Sequence, residues 1–249
     1  MSGRALGLEY GGTLSSVIGQ VHGLAEDEVR GAEGALADAV RRVEAERGQG
    51  LHRYRELPTD RTMLRTVQAA VRDYRGKFDN LVVCGIGGSA LGNIALQTAL
   101  NPAYYNLLPA RQRRGPRLFV MDNVDPVQFS DLLDTLGSGL RRTLFNVISK
   151  SGETAETTAQ FLIARDLLAR RVGAKAVLRN ILVTTDPESG TMRDVAAAAG
   201  FRTLPVPPGV GGRWSVLSAV GLFSAGMCGI SLPKLLAGAD AMGRRVASP

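Results

Sequence analysis

The sequence is poor in the residues that build metal centres and disulfide frameworks. Its 249 residues hold two cysteines, Cys84 and Cys228, and two histidines, His22 and His52. The cysteines lie far apart inside apolar runs, which argues against a disulfide scaffold or a zinc cluster and suits a reducing, cytoplasmic setting. Isolated histidines are usually structural or solvated, so neither is assigned a catalytic role. Long apolar runs are missing as well. No stretch reaches the roughly 18 consecutive apolar residues of a membrane span. The N-terminal residues MSGRALGLEYG lack the apolar core of a signal peptide. No membrane partner is expected. Acidic residues are in the minority, 23 against 30 Lys and Arg, for a formal net charge of +7. Apart from Arg111, Arg113 and Arg114, the arginines are scattered along helical stretches. Such a surface draws in small anionic metabolites, and no nucleic acid partner is expected.

Glycine is abundant, with 30 residues. It shows no every-third-residue period, which excludes a collagen-like chain. Residues 1 to about 78 read as helical. Val29, Leu36, Val40 and Val43 form one stripe at helical spacing, and Met63, Val67, Val71 and Tyr74 form another. Gly48, Gly50 and Pro58 mark a loop between them, and Thr59 or Asp60 can cap the second helix. From residue 80 the grammar changes. Apolar runs at Leu81–Cys84, Leu118–Met121, Leu144–Ile148, Ile181–Thr184 and Thr203–Val206 alternate with helical stretches at about 90–100, 126–136, 153–171, 190–198 and 214–227. Continuous β-branched and leucine runs suit strands buried on both faces, and alternation with helices makes the sheet parallel. The reading is an α/β fold, a doubly wound five-stranded parallel sheet flanked by helices and preceded by an N-terminal helical segment. Ser231–Val246 is a last helix. The expected organisation is 1–78 helical, 79–230 α/β, and 231–249 a C-terminal helix with a link onward.

Ligands of such sheets bind at the strand C-terminal ends, and three loops there carry chemistry. The first is Cys84-Gly85-Ile86-Gly87-Gly88-Ser89-Ala90. Its glycines let the backbone approach a ligand and present amides at a helix start. Phosphate or sugar contact, a dinucleotide turn and a plain tight turn all remain open for it. A dinucleotide fold wants an acidic residue about 20 positions on, and Asp122 comes 37 positions after Gly85. The second loop, Ser149-Lys150-Ser151-Gly152-Glu153-Thr154, places three hydroxyls, an ammonium and a glycine where a helix begins. One hydroxyl would suffice to cap that helix. The surplus of short donors matches the three oxygens of a phosphate monoester, which the helix dipole also favours. The third, Gly209-Val210-Gly211-Gly212-Arg213-Trp214-Ser215, sets an arginine in a glycine turn. That arginine either faces a ligand, where it can offset charge developing on an oxygen, or is an ordinary surface residue. Trp214 reads as the packing residue that anchors the turn. Thr184-Thr185-Asp186-Pro187 with Ser189-Gly190 reads as a turn and helix cap, with no catalytic role.

Over roughly residues 55–245 the sequence resembles the phosphoglucose isomerase family, and more broadly the sugar isomerase (SIS) domain. Val82–Ser89 is similar to the family's first strand and loop, Ile148–Thr157 to its phosphate loop, and Gly211–Ser218 to a motif characteristic of these isomerases. The resemblance implies interconversion of glucose 6-phosphate and fructose 6-phosphate through a cis-enediol, with no metal or organic cofactor. Ser149, Lys150, Ser151 and Thr154 would then hold the phosphate, the lysine through its backbone. Gly87, Gly88 and Ser89 would line the sugar side, and Arg213 would stabilise the enediolate. Two departures stand out. Trp214 occupies a position that is usually Tyr or Phe, and Glu153 stands where small or hydroxyl residues are common and should point outward. The family's base glutamate lies in a Gln-x-Gly-Val-Glu-like context within a second sugar isomerase domain, alongside a ring-opening histidine and a late lysine. Nothing in this sequence matches those segments. The resemblance therefore implies the N-terminal half of an isomerase, partnered by a C-terminal half or second subunit. The alternative is a non-catalytic sugar-phosphate-binding module of the sensor type.

Overall fold

The computed structural model describes residues 7–247. Residues 1–6 of the expected helical region and the Ser248–Pro249 end lie outside that range. The helices are α1 (Ser15–Ile18), α2 (Glu26–Gly48), α3 (Arg61–Tyr74), α4 (Gly88–Leu100), α5 (Pro126–Leu136), α6 (Ala155–Arg171), α7 (Ala174–Asn180), α8 (Thr191–Ala199), α9 (Ala219–Met227) and α10 (Leu232–Arg245). The strands are β1 (Asn80–Cys84), β2 (Arg117–Met121), β3 (Thr143–Ile148), β4 (Ile181–Thr185) and β5 (Arg202–Pro205). They form one five-stranded sheet in the order β2-β1-β3-β4-β5, with every pairing parallel. The α/β, doubly wound architecture expected from the sequence is the one observed.

The period-2 geometry of the strands explains why their apolar runs are unbroken. Leu81, Val83, Leu144, Ile148, Leu182 and Leu204 enter a core shared with α3, α9 and α10. Val82, Cys84, Phe145, Val147, Ile181 and Val183 enter a second core with α5, α6 and α8. Both faces are covered, so every position of β1, β3 and β4 is buried. The stripe Met63, Val67, Val71 and Tyr74 on α3 is buried as expected, and Asp60 is the cap, its carboxylate accepting from the Met63 N–H at 2.8 Å.

The stripe of Val29, Leu36, Val40 and Val43 lies on a helix, α2, as expected, but no residue of α2 is buried, and Leu36 is 66% exposed. Periodicity alone does not supply a partner. Two other expectations need correction. The helix expected over 153–171 begins at Ala155, and a further helix, α7, follows Gly173, whose φ of +112° breaks the first. Seven residues carrying Lys175 and Arg179 are too short and too polar to announce a helix. The stretch from 214 to 227 is not one helix. A 3-10 turn covers Gly212–Trp214, and α9 starts only after Ser218, whose hydroxyl accepts from the Val220 N–H.

The described residues separate into two compact units, residues 7–51 with 242–247, and residues 52–241. The sheet and all the loops discussed below belong to the second.

Candidate functional site

In this strand order β1 and β3 are neighbours, and the connections leaving them run to opposite faces of the sheet. Helix α4 joins the α9 side, where Leu96 packs, while α6 lies in the other core. The gap between the two departing loops is the topological switch point, where ligands of open α/β sheets bind. A cavity of about 530 Å³ opens there. Its wall brings together Ser89 from the first loop and Ser149, Lys150, Ser151 and Thr154 from the second. Two glycines of the first loop, Gly87 and Gly88, stand beside it but not in its wall.

Close backbone packing holds the loops in place. A Cβ on Gly88 would collide with the carbonyl of Gly212, so the glycine–arginine turn sits directly on the start of α4. Gly152 has φ +76°, and a Cβ there would strike the backbone of Met192 at the start of α8. From the other side the Lys150 Nζ donates to the Val210 carbonyl at 3.2 Å. The turn carrying Arg213 is thus tied to both loops that line the crevice. The Arg213 side chain itself is exposed and is not part of the cavity wall.

The loop hydroxyls cluster at the start of α6. Ser149 is buried, and its Oγ accepts from the Gly152 N–H at 3.0 Å, which shapes the loop into a cup. Ser151 Oγ accepts from the Glu153 N–H at 3.2 Å. Thr154 occupies the N-cap position of α6 but makes no side-chain cap bond. Its hydroxyl remains available, and the first-turn amides of α6 are left without the usual side-chain acceptor. A helix start of this kind attracts negative charge.

Four wall residues are ones to which the sequence assigned no binding role: Thr157, and Asp186, Ser189 and Gly190 of the stretch read as a plain turn and helix cap. Thr157 is buried in the first turn of α6, and its Oγ1 has no partner among the described residues. Asp186, Ser189 and Gly190 come from the turn after β4. The Asp186 carboxylate accepts from the Glu188 and Ser189 N–H groups at 3.0 and 3.2 Å, as a turn residue does. Donation from the Glu188 amide, then from that of Ser189, with the Lys150 charge nearby, holds its carboxyl below the usual range. Glu153 was expected to point outward. It is exposed, as a carboxylate near an anion site must be, yet it stands in the cavity wall. Only folding brings the β4 turn to this crevice, whereas the hydroxyl loop announces itself in six consecutive residues.

Fold and site together define an α/β protein of the sugar isomerase type with a hydroxyl-lined crevice at its switch point. The chain belongs to the phosphoglucose isomerase family, whose profile matches residues 59–249. It is 46% identical to the glucose-6-phosphate isomerase of Carboxydothermus hydrogenoformans over 179 residues, which are 72% of this chain and 38% of that protein. Among solved structures, a hypothetical protein from Thermus thermophilus superposes with a TM-score of 0.78 at 35% identity, covering 90% of this chain and 51% of the other. The glucose-6-phosphate isomerase from Chlamydia trachomatis shares the fold, with a TM-score of 0.62 at 24% identity over 80% of this chain and 35% of its own. The chain spans about half the length of these relatives or less. No helix among the described residues is long and apolar enough to cross a membrane.

Proposed function

We propose that this chain forms the phosphate-handling half of a cytoplasmic glucose-6-phosphate isomerase, which interconverts glucose 6-phosphate and fructose 6-phosphate through a cis-enediol. The supporting observation is that Ser89, Ser149, Ser151 and Thr154 converge on one crevice at the uncapped start of α6. In this reading the phosphate monoester sits against the hydroxyls of Ser149, Ser151 and Thr154, the Lys150 backbone and the first amides of α6. Gly87, Gly88 and Ser89 flank the sugar. During the proton shift between C2 and C1, negative charge gathers on the enediolate oxygen, and the Arg213 guanidinium offsets it. Charge of that kind exists only near the transition state, so Arg213 assists turnover more than substrate binding. The general base would come from outside this sequence, since none of its glutamates lies in a Gln-x-Gly-Val-Glu-like context.

A coupled isomerase assay tests the reading. The chain alone should turn over negligibly, and adding the C-terminal half of a family member should restore turnover. Robust activity from the chain alone would refute an external base. Titration with fructose 6-phosphate or 6-phosphogluconate tests the phosphate site. The double substitution Ser149→Ala with Thr154→Ala should weaken both ligands, and unchanged affinity removes the assignment.

A further inference from the structure

The stretch just before α3 carries no chemistry in the sequence, yet it packs on the turn that bears Arg213. Residues Arg53–Thr59 form a 3-10 turn. Within it the Tyr54 ring stacks on Trp214 with centroids 4.8 Å apart and planes 20° from parallel. His52 meets Tyr54 edge-on at 6.2 Å. His52 has φ +55°, the only positive value outside glycine among the described residues. An L side chain rarely adopts that conformation, which persists where surrounding contacts enforce it. The packing continues along the turn. Gly209 has φ +75°, and its absent Cβ is replaced by the Arg53 side chain, with Cγ 2.9 Å from where that Cβ would lie. Trp214 is 56% exposed, so burial does not fix its ring. Its stacking partner does.

We propose that Tyr54 is a positioning residue for Arg213, acting through the Tyr54–Trp214 stack. The proposal rests on the reading of Arg213 as the group that meets enediolate charge. The path is short and contiguous. Tyr54 and Arg53 press on Trp214 and Gly209 at the two ends of the turn. Between these ends, the Val210 carbonyl accepts from Lys150 and the Gly212 backbone sits on Gly88. Loss of the stack frees the turn at its Trp214 end while leaving the hydroxyl cup of Ser149, Ser151 and Thr154 untouched. The effect should therefore fall on the sugar end of a ligand and spare the phosphate end.

Trp214 is the only tryptophan in the sequence, so its emission reports on this turn alone. The experiment titrates the 249-residue chain with 6-phosphogluconate, whose carboxylate mimics the charged end of the reacting sugar, and with inorganic phosphate. The variants are Tyr54→Ala, Tyr54→Leu, Tyr54→Phe and Arg213→Ala. Tyr54→Ala should bind 6-phosphogluconate about three- to tenfold more weakly, the scale of one aromatic pair. It should keep its affinity for inorganic phosphate and show red-shifted Trp214 emission, and Tyr54→Phe should behave as the parent. If circular dichroism shows Tyr54→Ala unfolded, Tyr54→Leu carries the same expectation, because it fills the volume without a ring to stack. Parental binding of 6-phosphogluconate by Tyr54→Leu, alongside weakened binding by Arg213→Ala, overturns the positioning role and leaves the Arg213 reading standing. Equal loss of both ligands overturns it too, by making Tyr54 a merely structural support. If Arg213→Ala binds 6-phosphogluconate as the parent does, the Arg213 reading falls and the positioning role falls with it.

Discussion

At the scale of single residues, hydroxyls that look alike in the sequence have different duties. Ser149 accepts from a backbone amide inside its own loop, so removing its Oγ strands the Gly152 N–H in a buried place. Ser149→Ala should lower stability by about 1–3 kcal/mol, the usual cost of an orphaned buried donor, and should also weaken phosphate binding. Thr154 makes no cap bond, so Thr154→Ala should leave stability within about 0.5 kcal/mol of the parent while weakening phosphate binding. Thermal unfolding with phosphate titration separates the two effects, and equal stability loss in both variants would contradict this assignment. Gly88 differs again. It needs no unusual φ, only the absence of a Cβ facing Gly212. Gly88→Ala should cost about 1–3 kcal/mol by overpacking and should weaken 6-phosphogluconate binding by pushing the Arg213 turn outward. An alanine variant with parental stability and affinity would mean that the turn is not seated there. The sequence displayed these residues because each loop crowds its chemistry into a few positions. Thr157, Ser189 and Tyr54 received no role from the sequence, since a threonine, a turn serine or a tyrosine gains one only from what folding places beside it.

At the scale of elements, β1, β3 and β4 were legible because both of their faces are buried, and a doubly buried strand has no polar alternation to obscure it; the half-buried edge strands β2 and β5 were legible from short apolar runs bounded by turn residues. Strand edges shifted by a residue where pairing, not hydropathy, decides: Asn80, Arg117 and Thr143 begin β1, β2 and β3 in mutual register. The polar starts of these strands are tied together from outside. Asp79 donates its N–H to the Arg142 carbonyl and accepts from the Arg117 N–H through its own carbonyl. Its carboxylate accepts from Arg142 at 2.7 and 3.0 Å. That side-chain bond is the main reason its carboxyl lies below the usual range; burial opposes it, and the Arg142 charge adds to it. A carboxylate with a depressed folded pKa stabilises the fold above its unfolded value, about 3.9, and loses that contribution as pH falls through the folded value. Urea midpoints of the parent and of Asp79→Asn should therefore differ at pH 7 and converge below about pH 4. A gap that stays constant down to about pH 3 would show that the bridge adds nothing to stability. Helix α7 was not legible, because its role is tertiary. Its last residue, Asn180, is fully buried and donates to the Arg141 and Thr143 carbonyls, anchoring the start of β3 in a way that no local pattern foretells.

At the scale of the whole molecule, burial is unevenly distributed, and it sets where the fold should open first. Helix α2 is the longest among the described residues at 23 residues and carries a regular apolar stripe, yet none of its residues is buried. Along the helix Arg30 pairs with Glu26, Arg41 with Asp38 and Arg42 with Glu46. Each such pair contributes only about 0.2–0.5 kcal/mol in an isolated helix, and salt screens it. Strands β1 and β3, by contrast, sit between two continuous apolar cores and can open only if those cores do. Native-state hydrogen exchange should therefore find α2 amides exchanging at least about a hundredfold faster than those of β1 and β3. Raising the salt concentration should accelerate α2 further and leave the strands nearly unchanged, because ionic screening weakens exposed pairs and not apolar burial. Protection of α2 equal to that of the central strands would show that its apolar stripe is buried in solution, and the link drawn here between burial and local opening would then be wrong.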